Sequence, residues 1–272
     1  MEGMEVIGEK INGSIPKTSK AIDEHDETYI RYLAKAQTEA GADYLDCCAS
    51  RNEGEYEIQE WLIGMIQEES DLPICLDSPD PELLVKLMKL CNKEGIINSV
   101  SMEGEKCDIV LPEIKDTNWK VVALLCDNNG IPEDAEGRLE VFGALMERME
   151  QDGIAPNRIY IDPLVETLGA NEESLLTFSE VCRQVKKEYP SIHLTSGLSN
   201  ISFGMPYRKM INMAFLVLAM EAGMDSAIVD PLNRDFRGIM YAANALLDND
   251  EMGLEYIGAF RDGMIGPEPD KK

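Results

Sequence analysis

Eight short apolar runs recur along the chain, and longer amphipathic stretches separate them. The runs read EVIGEKI (5–11), YLDCCAS (44–50), PICLDS (73–78), GIINSVS (95–101), KVVALLCDN (120–128), RIYIDPLV (158–165), HLTSGLSNIS (193–202) and SAIVDPL (226–232). Each is bounded by turn residues and is mostly apolar on both faces, which is the pattern of strands buried in a parallel sheet. Helices are predicted between them over 55–70, 80–92, 133–153, 171–189 and 208–223. Asp80 is placed to cap the second of these, with Pro81 at its first helical position. Pro190 and Gly223 stop the last two. About eight strand–helix units in 272 residues predict an α/β fold, a (β/α)8 TIM barrel in a single domain over 1–265. A doubly wound open sheet is the main competitor. No linker or low-complexity segment divides the chain, and the acidic end GPEPDKK (266–272) reads as a frayed tail.

The charge balance limits the partners. Twenty-five Lys and Arg against 51 Asp and Glu give −26, which argues against nucleic acid and against an anionic membrane. Solubility is the plain reading of this acidity, and docking to a complementary partner the sharper one. The seven cysteines are odd in number, sit mostly in apolar runs and form no C-x-x-C pair, so free thiols in a reducing compartment are expected. The N-terminus has no apolar signal region and no apolar run nears the length of a membrane span. The expectation is a soluble cytoplasmic protein.

Polar residues cluster where the runs end: Asn12, Asp46, Asp77, Asn98, Asp127, Asp162, Asn200 and Asp230. In a parallel barrel these positions line the mouth that carries the active site. Any one of them reads equally well as a helix cap or turn former, and Asp127, before Asn128-Asn129-Gly130, reads best that way. Together they suggest either a divalent cation such as magnesium, held by oxygen, or a flat heterocycle rich in N–H donors. Only two histidines are present, so an imidazole-based zinc site is not expected. Cys47 and Cys48 are neighbours on a strand and point to opposite faces, which favours buried thiols over a metal pair. No Gly-rich phosphate loop follows the seventh or eighth run, and no G-x-S-x-G or P-loop occurs.

The segments VIGEKING (6–13), YLDCCAS, CLDS (75–78), IINSVS (96–101), YIDPLV (160–165) and GLSNIS (197–202) resemble, in order, the motifs of the pterin-binding methyltetrahydrofolate:corrinoid protein methyltransferases. That family is related to dihydropteroate synthase and to the folate module of methionine synthase. The resemblance covers nearly the whole chain. It implies that Asp77, Asn98 and Asp162 hydrogen-bond the pterin ring, with Asp46 in the same polar floor. Glu9 and Asn12 fall in the first motif, where Lys10 replaces the family's usual Arg. Arg208 stands where the family has an Arg. Asn200 corresponds to the Asn beside the pterin nitrogen that carries the methyl. Asn200 reads alternatively as a cap on the next helix, and Arg208 as a partner of surface acids.

Methyl transfer from methyltetrahydrofolate asks an amine to leave, and in reverse the tetrahydrofolate amine attacks a methylated cobalt. An amide is not an acid at neutral pH, but it can turn its oxygen or its nitrogen to the ligand and so serve both protonation states. The resemblance therefore implies folate as substrate and a corrinoid (cobalamin) carried by a partner protein, with no metal bound by this chain. It also implies a homodimer through barrel helices, for which the Met-rich helix 209–223 is a candidate face alongside ordinary core packing. The nearest segment to a base-off corrinoid motif is Asp23-Glu24-His25-Asp26-Glu27-Thr28, which lacks the motif's Gly. Direction stays open. The alternatives are a dihydropteroate synthase-like enzyme, a magnesium-dependent barrel lyase or aldolase, and a non-catalytic folate-binding subunit.

Overall fold

The computed structural model describes residues 3–51 and 53–267. Its strands are β1 (Glu5–Gly8), β2 (Tyr44–Cys47), β3 (Ile74–Asp77), β4 (Ile96–Met102), β5 (Lys120–Asp127), β6 (Ile159–Asp162), β7 (His193–Leu194) and β8 (Ser226–Val229). They pair in parallel in the order β7-β6-β5-β4-β3-β2-β1-β8. The circle closes between β7 and β8. There the Asp225 N–H donates to the Leu194 carbonyl at 3.3 Å, the Ile228 N–H donates to Ser196 at 3.2 Å, and Gly197 bridges Ile228. The fold is therefore the (β/α)8 barrel and not the open sheet.

Helices α1 (Pro16–Asp23) and α2 (Glu27–Glu39) follow β1. Then α3 (Glu55–Glu69), α4 (Pro81–Met88), α5 (Lys106–Ile114), α6 (Ala135–Gln151), α7 (Ser174–Glu188), α8 (Arg208–Glu221) and α9 (Arg234–Leu246) each follow one strand, and α10 (Leu254–Arg261) packs on α9. Capping of α4 follows the sequence: the Asp80 carboxylate accepts from the N–H groups of Glu82 and Leu83 at 2.9 and 3.2 Å. The run 193–202 departs from expectation. Its ladder stops after two residues, because carboxylates take over the backbone donors: Asp225 accepts from Leu194 N–H at 2.8 Å and Asp162 from Gly197 N–H. Residues Leu198–Ser202 then coil into a 3₁₀ turn.

The sheet buries two apolar layers. Outward-facing residues such as Leu45, Leu76, Ile97, Val121, Ile161 and Ala227 pack under the helices. A separate inner layer comprises Ile7, Tyr44, Cys75, Ile96, Val122 and Tyr160. Because side chains alternate along a strand, the residues two places further on share that inward face: Glu9, Asp46, Asp77, Asn98, Leu124 and Asp162. At the opposite end the interior is closed by Lys120, whose ammonium donates to the Tyr44 and Tyr160 hydroxyls at 2.6 and 2.8 Å and pairs with Glu5. That leaves the C-terminal mouth as the open end. Within the expected tail, the carbonyls of Gly266 and Pro267 accept from Arg234, and residues 268–272 lie outside those described. Among the described residues no helix is long and apolar enough to cross a membrane.

Candidate active site

The floor of the mouth is built by neighbouring strands. Asp77 and Asn98 are direct partners in the β3–β4 register, and Asp46 pairs with Cys75, two residues before Asp77. Asp46 is fully buried. Asn12 Nδ2 donates to one of its oxygens at 3.1 Å and the Cys75 thiol faces it, while Oδ1 has no partner among the described residues. Burial, followed by the charge of Asp77, holds its carboxyl well above the usual aspartate range. Asp77 is raised to about 6, again by burial first, and the Cys48 thiol at its side opposes the shift. Gln59 Nε2 donates to the Asp77 carbonyl at 3.1 Å and holds the strand end from α3. After Asn98 the β4–β5 register shifts, a bulge of the kind that re-aims side chains at a barrel rim.

Asn12 is a tether. Besides Asp46, it accepts from Ser14 N–H at 2.9 Å and from the Ser50 hydroxyl at 3.3 Å. Its neighbour Gly13 runs against β2, where a Cβ would lie 2.0 Å from the Ala49 carbonyl oxygen. No other residue fits there, which explains the Asn-Gly pair of the first motif.

Asp162 closes the opposite wall. It is buried, accepts from Leu164 N–H at 2.8 Å and from Gly197 N–H, and is raised to about 6 by burial, against the lowering effect of these bonds and of Arg138. Arg138, on α6, is completely buried. It donates to the carbonyls of Pro132, Pro163 and Leu164 and to Glu166 at 2.9 Å, so it fastens the loop that follows Asp162. Leu164 there sits at φ 63°, a left-handed conformation costly for a Leu and held by those bonds.

Asn200 lies in the 3₁₀ turn after β7 and is exposed. Its side chain makes no hydrogen bond among the described residues and caps no helix. A Cβ on Gly197 would meet Asn200 Nδ2 at 3.3 Å, so the amide lies over the residue whose N–H reaches Asp162. Arg208 makes no ion pair among the described residues. It braces this turn, donating to the Ser202 hydroxyl at 3.0 Å and the Ser199 carbonyl at 2.7 Å, with its guanidinium 5.8 Å from the Phe203 ring centre.

Glu9 directly follows β1 on the same inward face, raised to about 7 by burial and then by Asp230, with Lys10 and Arg208 opposing. Lys10 pairs with Asp230 at 3.0 Å, while Asp230 also accepts from Leu232 N–H, so Asp230 is both ion-pair member and turn former. Asp127 accepts from Asn129 within its own turn, as its context predicts. The structure thus brings Glu9, Asp46, Asp77, Asn98 and Asp162 onto one surface, with Asn200 above it and Asn12 and Arg208 behind. Sequence reasoning read Cys48 as a buried thiol without its place beside Asp77, and it missed Gln59, Arg138 and Glu166. Arg138 carried no signal, because it stands among charged residues of an amphipathic helix.

Comparison with known proteins agrees with this architecture. Residues 11–230 match the profile of the pterin binding enzyme family. The chain is 48% identical over 267 residues to a methylcorrinoid:tetrahydrofolate methyltransferase of Eubacterium limosum, covering 97% of this chain and 98% of that protein. It is 32% identical over 250 residues to the methionine synthase of Mycobacterium leprae, covering 84% of this chain and 21% of that longer protein. Among solved structures, the dihydropteroate synthase of Yersinia pestis aligns with a TM-score of 0.64 at 17% identity, covering 91% of this chain and 95% of that one. That likeness is one of fold.

Proposed function

The chain belongs to the pterin-binding enzyme family, and from that premise we propose that it is a methyltransferase acting between tetrahydrofolate and the cobalt of a corrinoid held by a partner protein. The observation that carries this reading is the inward face shared by Asp46, Asp77, Asn98 and Asp162, where burial raises all three carboxyls and Asp46 Oδ1 has no partner among the described residues. Such acceptors are costly to bury unless a donor-rich ligand completes them. The near-full-length relative in Eubacterium limosum, a methylcorrinoid:tetrahydrofolate methyltransferase by name, supports the substrate pair and a direction from methylcorrinoid to tetrahydrofolate.

In this reading Asp77, Asn98 and Asp162 accept from the amino group and ring N–H of the pterin. Asp46, tied to Asn12, forms the floor beneath it. A pterin laid between β3–β4 and β6 brings its methyl-accepting nitrogen under Asn200, whose uncommitted amide orients it. A donor or acceptor that strengthens only at the transition state contributes to rate more than to affinity. Arg208 keeps the turn in place. The mouth above stays open to the corrinoid, which supplies the methyl group. From Met210 to Met220, α8 has no charged residue, although Met210 and Leu218 are 53% and 47% exposed. That uncharged outer face supports a homodimer. A cytoplasmic setting fits the free thiols, most of which are buried and held high by desolvation.

The first test is calorimetric titration of the anaerobic protein with tetrahydrofolate and methyltetrahydrofolate, with Asp162→Ala alongside, followed by transfer from methylcob(III)alamin. Binding by the wild type that the substitution abolishes is the expected result. A folded wild type that binds neither folate refutes the proposal.

A further inference from the structure

Beside the Asn200 turn lies a cavity of about 90 Å³, bounded by Glu9, Ser199, Asn212, Asp230, Asn233 and Phe236. Leu198, Ile228 and Val229 complete its walls, which are polar and apolar in equal part, and it is large enough for a short file of waters. Among the described residues Asn212 Oδ1 is buried at its edge with no partner, and the Glu9 carboxyl makes no hydrogen bond. Both groups are left for water or for a ligand edge.

We propose that Glu9 is the proton acceptor for the methyl-bearing nitrogen of the pterin, reaching it through water held in this cavity. The inference rests on the folate reading of the mouth. When tetrahydrofolate takes a methyl group, a nitrogen–carbon bond forms and the carbon–cobalt bond breaks with its electron pair staying on the metal. The nitrogen becomes a protonated tertiary amine and must shed that proton to leave as neutral product. In the reverse reaction the same proton must be supplied. Asn200 can do neither. Asp77 and Asp162 are occupied by the ring N–H groups, and Asp46 is walled off beneath Asn12. Glu9 is the remaining carboxyl on this face, and the cavity joins it to the Asn200 turn.

The charged groups facing Glu9 suit the task. Burial and Asp230, beyond β8, raise its carboxyl, while Lys10 and Arg208 pull it down, and Glu9 in turn raises Asp46 on β2. The result is a carboxyl near 7, where a group can take and release a proton with equal ease.

The test is single-turnover transfer from methylcob(III)alamin to saturating tetrahydrofolate, followed across the neutral pH range. The wild-type rate should rise with pH and level off above about 7, the Glu9 value. Glu9→Gln should bind tetrahydrofolate as tightly as the wild type, react at least ~100-fold more slowly and lose the pH limb. Glu9→Asp should recover part of the rate and keep a limb. Asp230→Asn, which leaves Glu9 in place, should move the limb to lower pH. Difference infrared spectroscopy reads the protonated carboxyl independently of turnover, and a signal titrating near 7 should vanish in Glu9→Gln. A limb that survives in Glu9→Gln overturns the assignment, as does a loss of folate affinity that matches the loss of rate, or the absence of that infrared signal from the wild type. Failure of the wild type to bind folate at all defeats the folate reading instead.

Discussion

Replacing Asp162 by Asn should make the protein more stable and less functional, and the pH dependence of the difference is calculable. Burial raises this carboxyl from 3.8 to about 6. A rise of that size penalises the ionised folded state by about 3 kcal/mol. The folded value lies above the unfolded one, so the folded state holds the proton more tightly. The penalty is absent at acid pH, grows as pH rises between the two values and is constant above the upper one. Relative to Asp162→Asn, the wild type should therefore lose about 1.4 kcal/mol of stability between about pH 5 and pH 8. The Asn keeps a carbonyl acceptor for Leu164 N–H, but it weakens the charge-assisted bonds by about 1 kcal/mol. The net gain at pH 8 is about 2 kcal/mol. Urea denaturation of both proteins at the two pH values reads the double difference, in which other titrating groups cancel. In the proposed site the same change should weaken tetrahydrofolate binding by about 10- to 150-fold, the worth of a charge-assisted hydrogen bond. A stability difference that does not vary with pH, or one that favours the wild type more at high pH, refutes the reasoning.

Three further outcomes are expected. Tetrahydrofolate affinity should fall below about pH 6, approaching about a hundredfold per pH unit as Asp77 and Asp162 both take up protons and cease to accept; calorimetry across this range checks it, and a flat profile counts against carboxylate recognition of the pterin. Asn200→Ala should keep tetrahydrofolate affinity within a few-fold and lose about 100-fold or more in transfer rate, since its amide supports no part of the fold; equal losses in both place Asn200 among the binding groups. Leu218→Glu should turn a dimer into a monomer in sedimentation velocity without changing its circular dichroism, and an unchanged sedimentation coefficient removes α8 as the interface.

The features legible in the sequence are those set by period and by local chemistry. Eight apolar runs gave the strand count, because a strand buried on both faces has to be apolar throughout. Asp80-Pro81 marked the start of α4, because both residues act on the backbone beside them. The run 193–202 misled, since Asp225 and Asp162 take its backbone donors from 31 and 35 positions away and no local pattern encodes that capture. Helices α1, α2, α5, α9 and α10 went unpredicted. In α5 Pro112 lies inside the helix, and in α2 the apolar stripe is interrupted by Gln37, which is buried because its side chain accepts from Lys10 N–H at 2.9 Å. At the site, the strand-end carboxylates were visible as residue types. Their division of labour was not, because it depends on depth and on facing charges.

That division is the chemical content of the mouth. Four carboxyls share one apolar-walled opening in a chain of net charge −26, and they cannot all ionise at close range at equal cost. Asp46, deepest and next to Asp77, is held well above the usual aspartate range, and Asp77 is raised to about 6. Asp162, beside the buried Arg138, reaches about the same value on the far wall. Glu9, facing Asp230 on one side and Lys10 on the other, is balanced near neutrality. Carboxyls in environments that push their values apart thus supply a deep group held well above the usual range, two raised to about 6 and one raised to about 7. A donor-rich heterocycle with a titratable nitrogen needs those three things of a binding site. A phosphate ester needs none of them, because every carboxylate there repels it. The charge pattern separates this mouth from that of an anion-binding barrel with the same backbone.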